Sequence, residues 1–415
     1  MNKINILRIV VENVNLFADK MFDMDFTNQL QVSGYNHDHS YYNLASSIYL
    51  PKTIVIKGVN ASGKTTILKL VDLVTKIVFN SKKLNEPFIK DTLDIFYYND
   101  PIKITTFYSY NNKVYKTISI INKSKQELTS REEKYVFVDE MIYEKNLTAS
   151  LTKNALFDEN YTLVENRDSL AGGLLSHLIE DVSLNGMVVN DKETNFIVSL
   201  QDDRSFFNSS KRIRPYLIHE LDPTIISFLD PSIIKLTPNY ILNEYEGKAS
   251  SKNLTYDLHL ANGNVIEVST LQLETMLSSG TLRGLNLLSN IKSVLKTGGY
   301  IIIDELELHL NKSIIVDILR LFKTNETNPK NATLIFSTHY TEILDVFDRN
   351  DQIFISHRNK QYEMMLSNYS NYDKKNQLKK SDSYFADTFD LGTAISYDKY
   401  FALRKSFKEQ HYDWL

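Results

Sequence analysis

A chain of 415 residues, 42% hydrophobic and 24% charged, holds one large or two ordinary domains with a substantial core, which excludes global disorder. Its formal net charge of −4 excludes coating of nucleic acid by bulk charge and leaves room only for local basic patches. With no cysteine it has neither disulfides nor thiolate metal sites, which suits a reducing compartment.

The opening MNKINILRIVVENVNLF alternates apolar with polar residues and contains Glu12, unlike the unbroken apolar core of a signal peptide. Apolar runs such as Tyr300 to Ile303 fall far short of the ~20 residues a membrane span needs. A cytoplasmic protein without membrane contact is therefore expected. Alternation predicts strands over Ile6 to Val11 and through Phe22, Met24 and Phe26. Thr53 to Lys57 is a short β-branched run ending at Gly58. A helix is predicted from Lys64 to about Val78, with Ile67, Leu68, Leu70, Val71, Val74 and Ile77 at helical spacing. Strands return from Ile102 to Ile121, bent at Asn111 and Asn112, and again at Tyr135 to Val138. Leu170 to Ile179 and Tyr216 to Leu236 read as helical pieces broken by Pro215, Pro223 and Pro231. A hairpin follows from Tyr256 to Val268, turning at Asn262-Gly263. Strand and helix then alternate to about Ile355. The expected fold is α/β: a nucleotide-binding head formed by residues 1–155 and 255–415, interrupted by a mainly helical insert or arm over residues 156–254.

Gly58-Val59-Asn60-Ala61-Ser62-Gly63-Lys64-Thr65 matches G-x-x-x-x-G-K-[ST] at every fixed position, between a predicted strand and a predicted helix. In such a loop the glycines let the backbone wrap a β-phosphate, whose charge meets N–H groups and the positive end of the helix. Gly58, Asn60, Ala61, Ser62, Gly63, Lys64, Thr65 and Thr66 are thus the expected ATP-binding residues, with Lys64 on the β/γ-phosphates and the Thr65 hydroxyl on Mg²⁺. Two fixed glycines plus Lys and Ser/Thr should arise by chance in under roughly one such chain in a hundred.

Tyr300-Ile301-Ile302-Ile303-Asp304-Glu305 is a buried-strand pattern ending in two carboxylates. Asp304 is expected to hold Mg²⁺, and Glu305 to activate the attacking water. Thr333-Leu334-Ile335-Phe336-Ser337-Thr338-His339 is a second apolar strand, ending where a γ-phosphate sensor belongs; a lone strand-end histidine would ordinarily be structural. Glu305 and His339 are the expected catalytic pair. Upstream, Leu277-Ser278-Ser279-Gly280-Thr281 precedes an apolar-periodic helix through Leu282, Leu285, Leu288 and Ile291. Alone, those serines would be an ordinary helix cap.

The ordered set GVNASGKT, LSSGT, YIIIDE and FSTH resembles ABC ATPases of the SMC/RecF/OLD branch. The opening ILRIVVENVNLFADKMFDMDF resembles the first strands of that branch. STHYTEILDVFDRNDQIFISHRNK resembles compact OLD-like ATPases (the AAA15 type) of bacterial anti-phage systems. The resemblance covers about Ile4 to Lys69 and Leu271 to Lys360. It implies an ABC head with a P-loop core sheet and an antiparallel β-lobe, and a dimer, or a higher homo-oligomer, of heads that sandwich ATP. Leu277, Ser278, Ser279 and Gly280 would then act as the signature, binding the nucleotide of the opposite subunit.

The sequence departs from the family pattern in places. Ser279 stands where many ABC proteins have Gly, the Glu307-Leu308-His309-Leu310-Asn311 segment lacks the usual following Pro, and no Gln occurs between Thr65 and Lys125 to serve a Q-loop. The spacing from Lys64 to Ser278 is too short for the long coiled coils of SMC proteins, and the stretch after His339 too short for a Toprim nuclease domain. Any nuclease or toxin effector is therefore expected on another chain. The resemblance implies a nucleotide-gated sensor in anti-phage defence, triggered by a phage protein or DNA; the alternative is a RecF/SMC-like DNA-maintenance ATPase that clamps DNA. Weaker signals read as ordinary surface: His37-Asp38-His39 as a solvated loop rather than a metal site, and Lys211, Arg212, Arg214 and Lys374, Lys375, Lys379, Lys380 as solvated basic clusters, with nucleic-acid contact the lesser reading. The aromatic-rich tail from Tyr384 to Trp414 reads as packing, with a partner surface as the alternative.

Overall fold

A computed structural model describes residues 3–32, 39–124, 133–170, 180–189, 194–200, 222–239, 255–308, 310–374, 378–391 and 397–409. Two six-stranded sheets dominate. The first is antiparallel: β1 (Asn5–Glu12), β2 (Met21–Asp25), β6 (Ile102–Tyr110), β7 (Lys113–Ser124), β8 (Lys134–Asn146) and β9 (Thr162–Asn166), in the order β2-β1-β6-β7-β8-β9. The Asn111-Asn112 turn is a two-residue hairpin with both residues at positive φ, 50° and 58°, which matches the twist of β6 and β7 and which asparagine tolerates well.

The second sheet runs β10-β14-β15-β5-β16-β17, from β5 (Thr53–Lys57), β10 (Asn195–Ser199), β14 (Gly299–Ile303), β15 (Thr333–Thr338), β16 (Ile353–Arg358) and β17 (Met364–Asn368). Its pairings are parallel except for the β16–β17 hairpin at one edge. Strands covered on both faces need apolar residues at every position, which is why β5, β14 and β15 read as unbroken apolar runs. Successive side chains go to opposite cores. Ile54, Ile56, Tyr300, Ile302 and Ile335 pack with the antiparallel sheet and with α1 (Lys64–Val74). Val55, Ile301, Ile303, Leu334 and Phe336 pack with two helices on the other side. In chain order the remaining helices are α2 (Pro87–Phe96), α3 (Lys153–Leu156), α4 (Pro223–Leu229), α5 (Thr270–Met276), α6 (Ser279–Thr297), α7 (Lys312–Lys323), α8 (Lys380–Phe385) and α9 (Tyr397–Glu409). The two covering helices are α6 and α7, through Leu288, Ile291 and Val294 of one and Ile315, Ile318 and Phe322 of the other.

A three-stranded antiparallel sheet of β11 (Ile233–Asn239), β12 (Thr255–Leu260) and β13 (Val265–Ser269) forms a third core with α4, α5 and the start of α6. Its β12–β13 hairpin turns at Asn262-Gly263 as expected, with Gly263 at φ 88°. A small hairpin pairs β3 (Tyr41–Ala45) with β4 (Ile48–Pro51).

A mainly helical insert is expected over 156–254, of which the structure describes residues 156–170, 180–189, 194–200 and 222–239. They contain three strands and only short helical turns: β9 completes the antiparallel sheet and β10 is an edge strand of the core sheet. Of the helical pieces expected over Tyr216 to Leu236, residues 216–221 lie outside the described residues, and a helix spans Pro223–Leu229, capped by the Asp222 side chain on the Thr224 N–H. Beyond Pro231 the chain extends into β11, because Ile233 and Leu236 find partners on β12 that local spacing does not reveal. The predicted helix at Leu170 to Ile179 lies outside the described residues after Leu170. Among the described residues, no helix is long and apolar enough to cross a membrane.

Candidate functional site

The P-loop leaves the end of β5, at the middle of the parallel sheet, and runs into α1. Gly63 immediately precedes the helix at φ 107°, and Ala61 also has positive φ, 61°. Gly58, Ser62 and Lys64 are buried, while Val59, Asn60 and Ala61 face solvent. A Cβ at Gly58 would lie 2.5 Å from the Ser356 carbonyl oxygen, so only glycine lets the loop pass β16 this closely. The same strand braces the loop further: the Ser356 hydroxyl donates to the Ser62 carbonyl at 2.9 Å, and Arg358 Nε donates to the Ala61 carbonyl at 2.8 Å.

The Lys64 ammonium curls back onto the carbonyls of Gly58 (3.0 Å) and Val59 (3.2 Å). Burial pushes its pKa down, while Asp304, Glu305 and Glu307 oppose that shift. A desolvated ammonium held by two backbone carbonyls is well suited to trade them for phosphate oxygens.

Asp304 follows the last residue of β14, two strands from β5 with β15 between. Its Oδ2 accepts from the Thr65 hydroxyl at 2.7 Å and its Oδ1 from the Ser337 hydroxyl at 2.5 Å. Thr65 and Asp304, far apart in sequence, thus present hard oxygen donors to one point, as a Mg²⁺ site requires. The Ser62 hydroxyl is buried and lacks a hydrogen-bond partner among the described residues, leaving polar capacity at the base of the loop. The residues present fit a nucleotide with its Mg²⁺.

Glu305 stands at φ 49°, an unusual conformation for a non-glycine residue. Its N–H donates to the Ser337 hydroxyl at 2.8 Å, and its Oε1 lies 3.1 Å from His339 Nε2. The expected catalytic pair is therefore in direct contact. Ser337, inside an apolar strand motif, has no sequence signal of its own, yet it holds the Asp304 side chain and the Glu305 backbone at once. Lys57 and Glu307 are further unassigned residues here. Lys57 Nζ donates to the His339 carbonyl at 2.7 Å, and Glu307 accepts from the His339 N–H. A charged residue at the end of an apolar strand was the available signal for Lys57.

Leu277 is buried, while Ser278 and Ser279 are exposed at the start of α6. The Ser278 side chain caps that helix, accepting from the Thr281 N–H at 3.0 Å, so the bland reading of the serines as a cap is realised. A cleft lined by Arg283, Asn286, Asp304, Glu305 and Leu308 adjoins both α6 and the end of β14.

Of the weaker signals, His37, Asp38, Lys211, Arg212, Arg214, Lys375 and His309 lie outside the described residues. No metal-like group of three His, Cys, Asp or Glu occurs among the described ones. Lys379 pairs with Asp382 and Lys380 is buried, which removes two members from the C-terminal basic cluster. The tail divides: Tyr384 and Leu391 pack into the second core, whereas Tyr400, Phe401, Leu403 and Phe407 of α9 are exposed.

A P-loop at the end of a central parallel strand, with a strand-end Asp-Glu pair and a histidine beside it, defines a P-loop ATPase. Residues 54–345 match the family described as "AAA domain, putative AbiEii toxin, Type IV TA system", and the chain belongs to that family. No curated protein matches it. Among solved structures, the SMC head domain from Thermotoga maritima is similar with a TM-score of 0.41 at 10% identity, over 88% of this chain and 98% of that one.

Proposed function

We propose that this ATPase is a nucleotide-gated subunit whose heads close in pairs around ATP and thereby control a separate effector, a nuclease or toxin, in defence against phage. The observation that carries the catalytic part is the convergence of Thr65, Asp304, Ser337, Glu305 and His339 on one point beside the P-loop. The family description, which names a toxin and a toxin–antitoxin system, supports the effector part.

In this reading the N–H groups of residues 60–66 and the Lys64 ammonium bind the phosphates. Thr65 and Asp304 hold Mg²⁺, which neutralises charge on the transferred phosphoryl group. Glu305 accepts a proton from the water that attacks the γ-phosphorus as its bond to the leaving oxygen breaks, yielding ADP and phosphate. His339 keeps the Glu305 carboxylate oriented and meets the γ-phosphate. Ser278, Ser279 and Gly280, exposed or half-exposed at the start of α6, face the γ-phosphate of the second copy.

The test is the native mass of wild type and Glu305→Gln with and without ATP–Mg²⁺. The variant should bind ATP, hydrolyse it at least about 100-fold more slowly, and accumulate as a dimer only with ATP. A monomer under every condition would overturn the paired-head reading.

A further inference from the structure

Both backbone polar groups of His339 are held by charged side chains from outside its own strand. Its carbonyl accepts from Lys57 Nζ at 2.7 Å, and its N–H donates to Glu307 Oε1. Lys57 is the last residue of β5 and is 3% exposed; Glu307 lies just after β14. β15, which carries His339 at its end, runs between those two strands. The Lys57 ammonium also lies 4.9 Å from the centre of the Tyr384 ring, on the C-terminal helix α8. The second Glu307 oxygen is buried without a hydrogen-bond partner among the described residues.

Burying an ammonium and a carboxylate is costly, and one hydrogen bond to a turn is a small return for it. Small polar residues could anchor this peptide equally well. What charge adds is stiffness and direction: two charge-assisted hydrogen bonds, one to each of the two peptide units flanking the His339 Cα, set the imidazole on Glu305 within a narrow range.

We propose that Lys57 and Glu307 form a clamp that positions His339 against Glu305, and that Tyr384 couples the C-terminal segment to this clamp. Lys57 and Glu307 are positioning residues: they act through His339 and touch no substrate atom. Anything that displaces α8 withdraws the aromatic ring from Lys57 and loosens the histidine, giving a partner on the C-terminal segment control over hydrolysis while the phosphate-binding loop remains intact. The inference rests on the catalytic role of His339 proposed above.

The groups around Lys57 agree with a strained cation. Burial and the Lys64 ammonium push its pKa down to about 8, and Glu307 and Glu342 pull against that shift.

Steady-state ATP hydrolysis, equilibrium binding of a fluorescent ATP analogue and thermal melting would be measured for wild type, Lys57→Met, Glu307→Ala, Glu307→Gln, Tyr384→Leu and His339→Ala, and for Lys57→Met combined with His339→Ala. We expect Lys57→Met and Glu307→Ala to lower kcat by roughly tenfold or more while analogue affinity stays within about threefold. Glu307→Gln, which keeps an oxygen acceptor for the His339 N–H, should recover much of the loss. Tyr384→Leu should fall between wild type and Lys57→Met. The double variant should be no slower than His339→Ala, because both changes remove the same function. If Lys57→Met fails to fold, Glu307→Ala and Glu307→Gln test the same clamp from its more accessible side. Wild-type kcat in both Lys57→Met and Glu307→Ala, with His339→Ala inactive, would overturn the clamp and leave the catalytic reading standing. Full activity of His339→Ala would overturn both.

Discussion

Ser337 shows how much a single hydroxyl does in this site. It donates to the Asp304 carboxylate and accepts from the backbone N–H of Glu305, so one atom holds the side chain of the first acidic residue and the backbone of the second. Glu305 in turn sits at a positive φ that a free chain would avoid, and that contact helps to keep it there. Ser337→Ala should therefore lower kcat by about tenfold or more with little change in nucleotide affinity, since the phosphate-binding groups are untouched; single-turnover and binding measurements check it. An equal loss in kcat and affinity would mean that the serine supports the P-loop instead. Burial elsewhere is satisfied in the same economical manner. Glu140, fully buried, is met by Arg167, the hydroxyls of Ser119 and Ser183 and the Leu184 N–H, as a buried carboxylate requires.

Among the elements, the strand ends matter more than the strands. β5, β14 and β15 are apolar through their middles, and the polar residues of the candidate site stand where the three strands end on the P-loop side. The β16–β17 hairpin adds the outer support, with Ser356 and Arg358 bonded to the P-loop backbone and Met364 packed over Gly63. Gly58→Ala tests that support: its Cβ would meet the Ser356 carbonyl at 2.5 Å and the Ser62 hydroxyl at 2.2 Å, so the loop must move. The expected result is loss of ATP-analogue binding by roughly tenfold or more, with a melting temperature that falls by only a few degrees because the loop lies beyond the end of β5. Wild-type affinity in that variant would show that the loop tolerates displacement from β16. In the proposed function, helix α6 would carry the element presented to the second copy. Its capped, solvent-facing start is accounted for within the chain, so its role toward a second copy is decided by the native-mass experiment.

At the scale of the whole molecule, the largest core joins the antiparallel sheet to one face of the parallel sheet, so the two share a single apolar interior. Lys3 crosses between them on the side of the sheet away from the P-loop. Its ammonium contacts the Asn331 carbonyl and lies between the rings of Tyr42 and Tyr300. Burial and the Lys52 ammonium push its pKa down to about 7, below the 10.5 of an exposed lysine. From about pH 7 to 10.5 the unfolded chain therefore binds more protons at this position than the folded one, and the contribution of Lys3 to stability rises with pH. Below about pH 7 the amine is protonated in both states and its contribution is flat. Lys3→Met should remove this rise, so that the difference in denaturant stability between variant and wild type shifts toward wild type as pH increases from 7 to 10. A difference independent of pH would show that the amine is hydrated in the folded state.

The residues that converge at the candidate site were legible in the sequence because each motif is local: a glycine-rich turn between a strand and a helix, and apolar strands that end in Asp-Glu or in a histidine. The core strands were legible for the same reason, as were the Asn111-Asn112 and Asn262-Gly263 turns. What the stretch from 156 to 254 does was not. β9, β10 and β11 are strands because partners distant in the chain complete their hydrogen bonding and cover their faces, and a short mixed segment carries no periodicity that announces such partners. Ser337, Lys57 and Glu307 were invisible as a set for a related reason. Each acts on a residue of another strand, and only the order β14-β15-β5 in the sheet brings the three strand ends together. Sequence determined which chemistry is present, since chemistry follows from residue type and local spacing; tertiary structure decided which groups hold it in place, since that depends on which strands become neighbours.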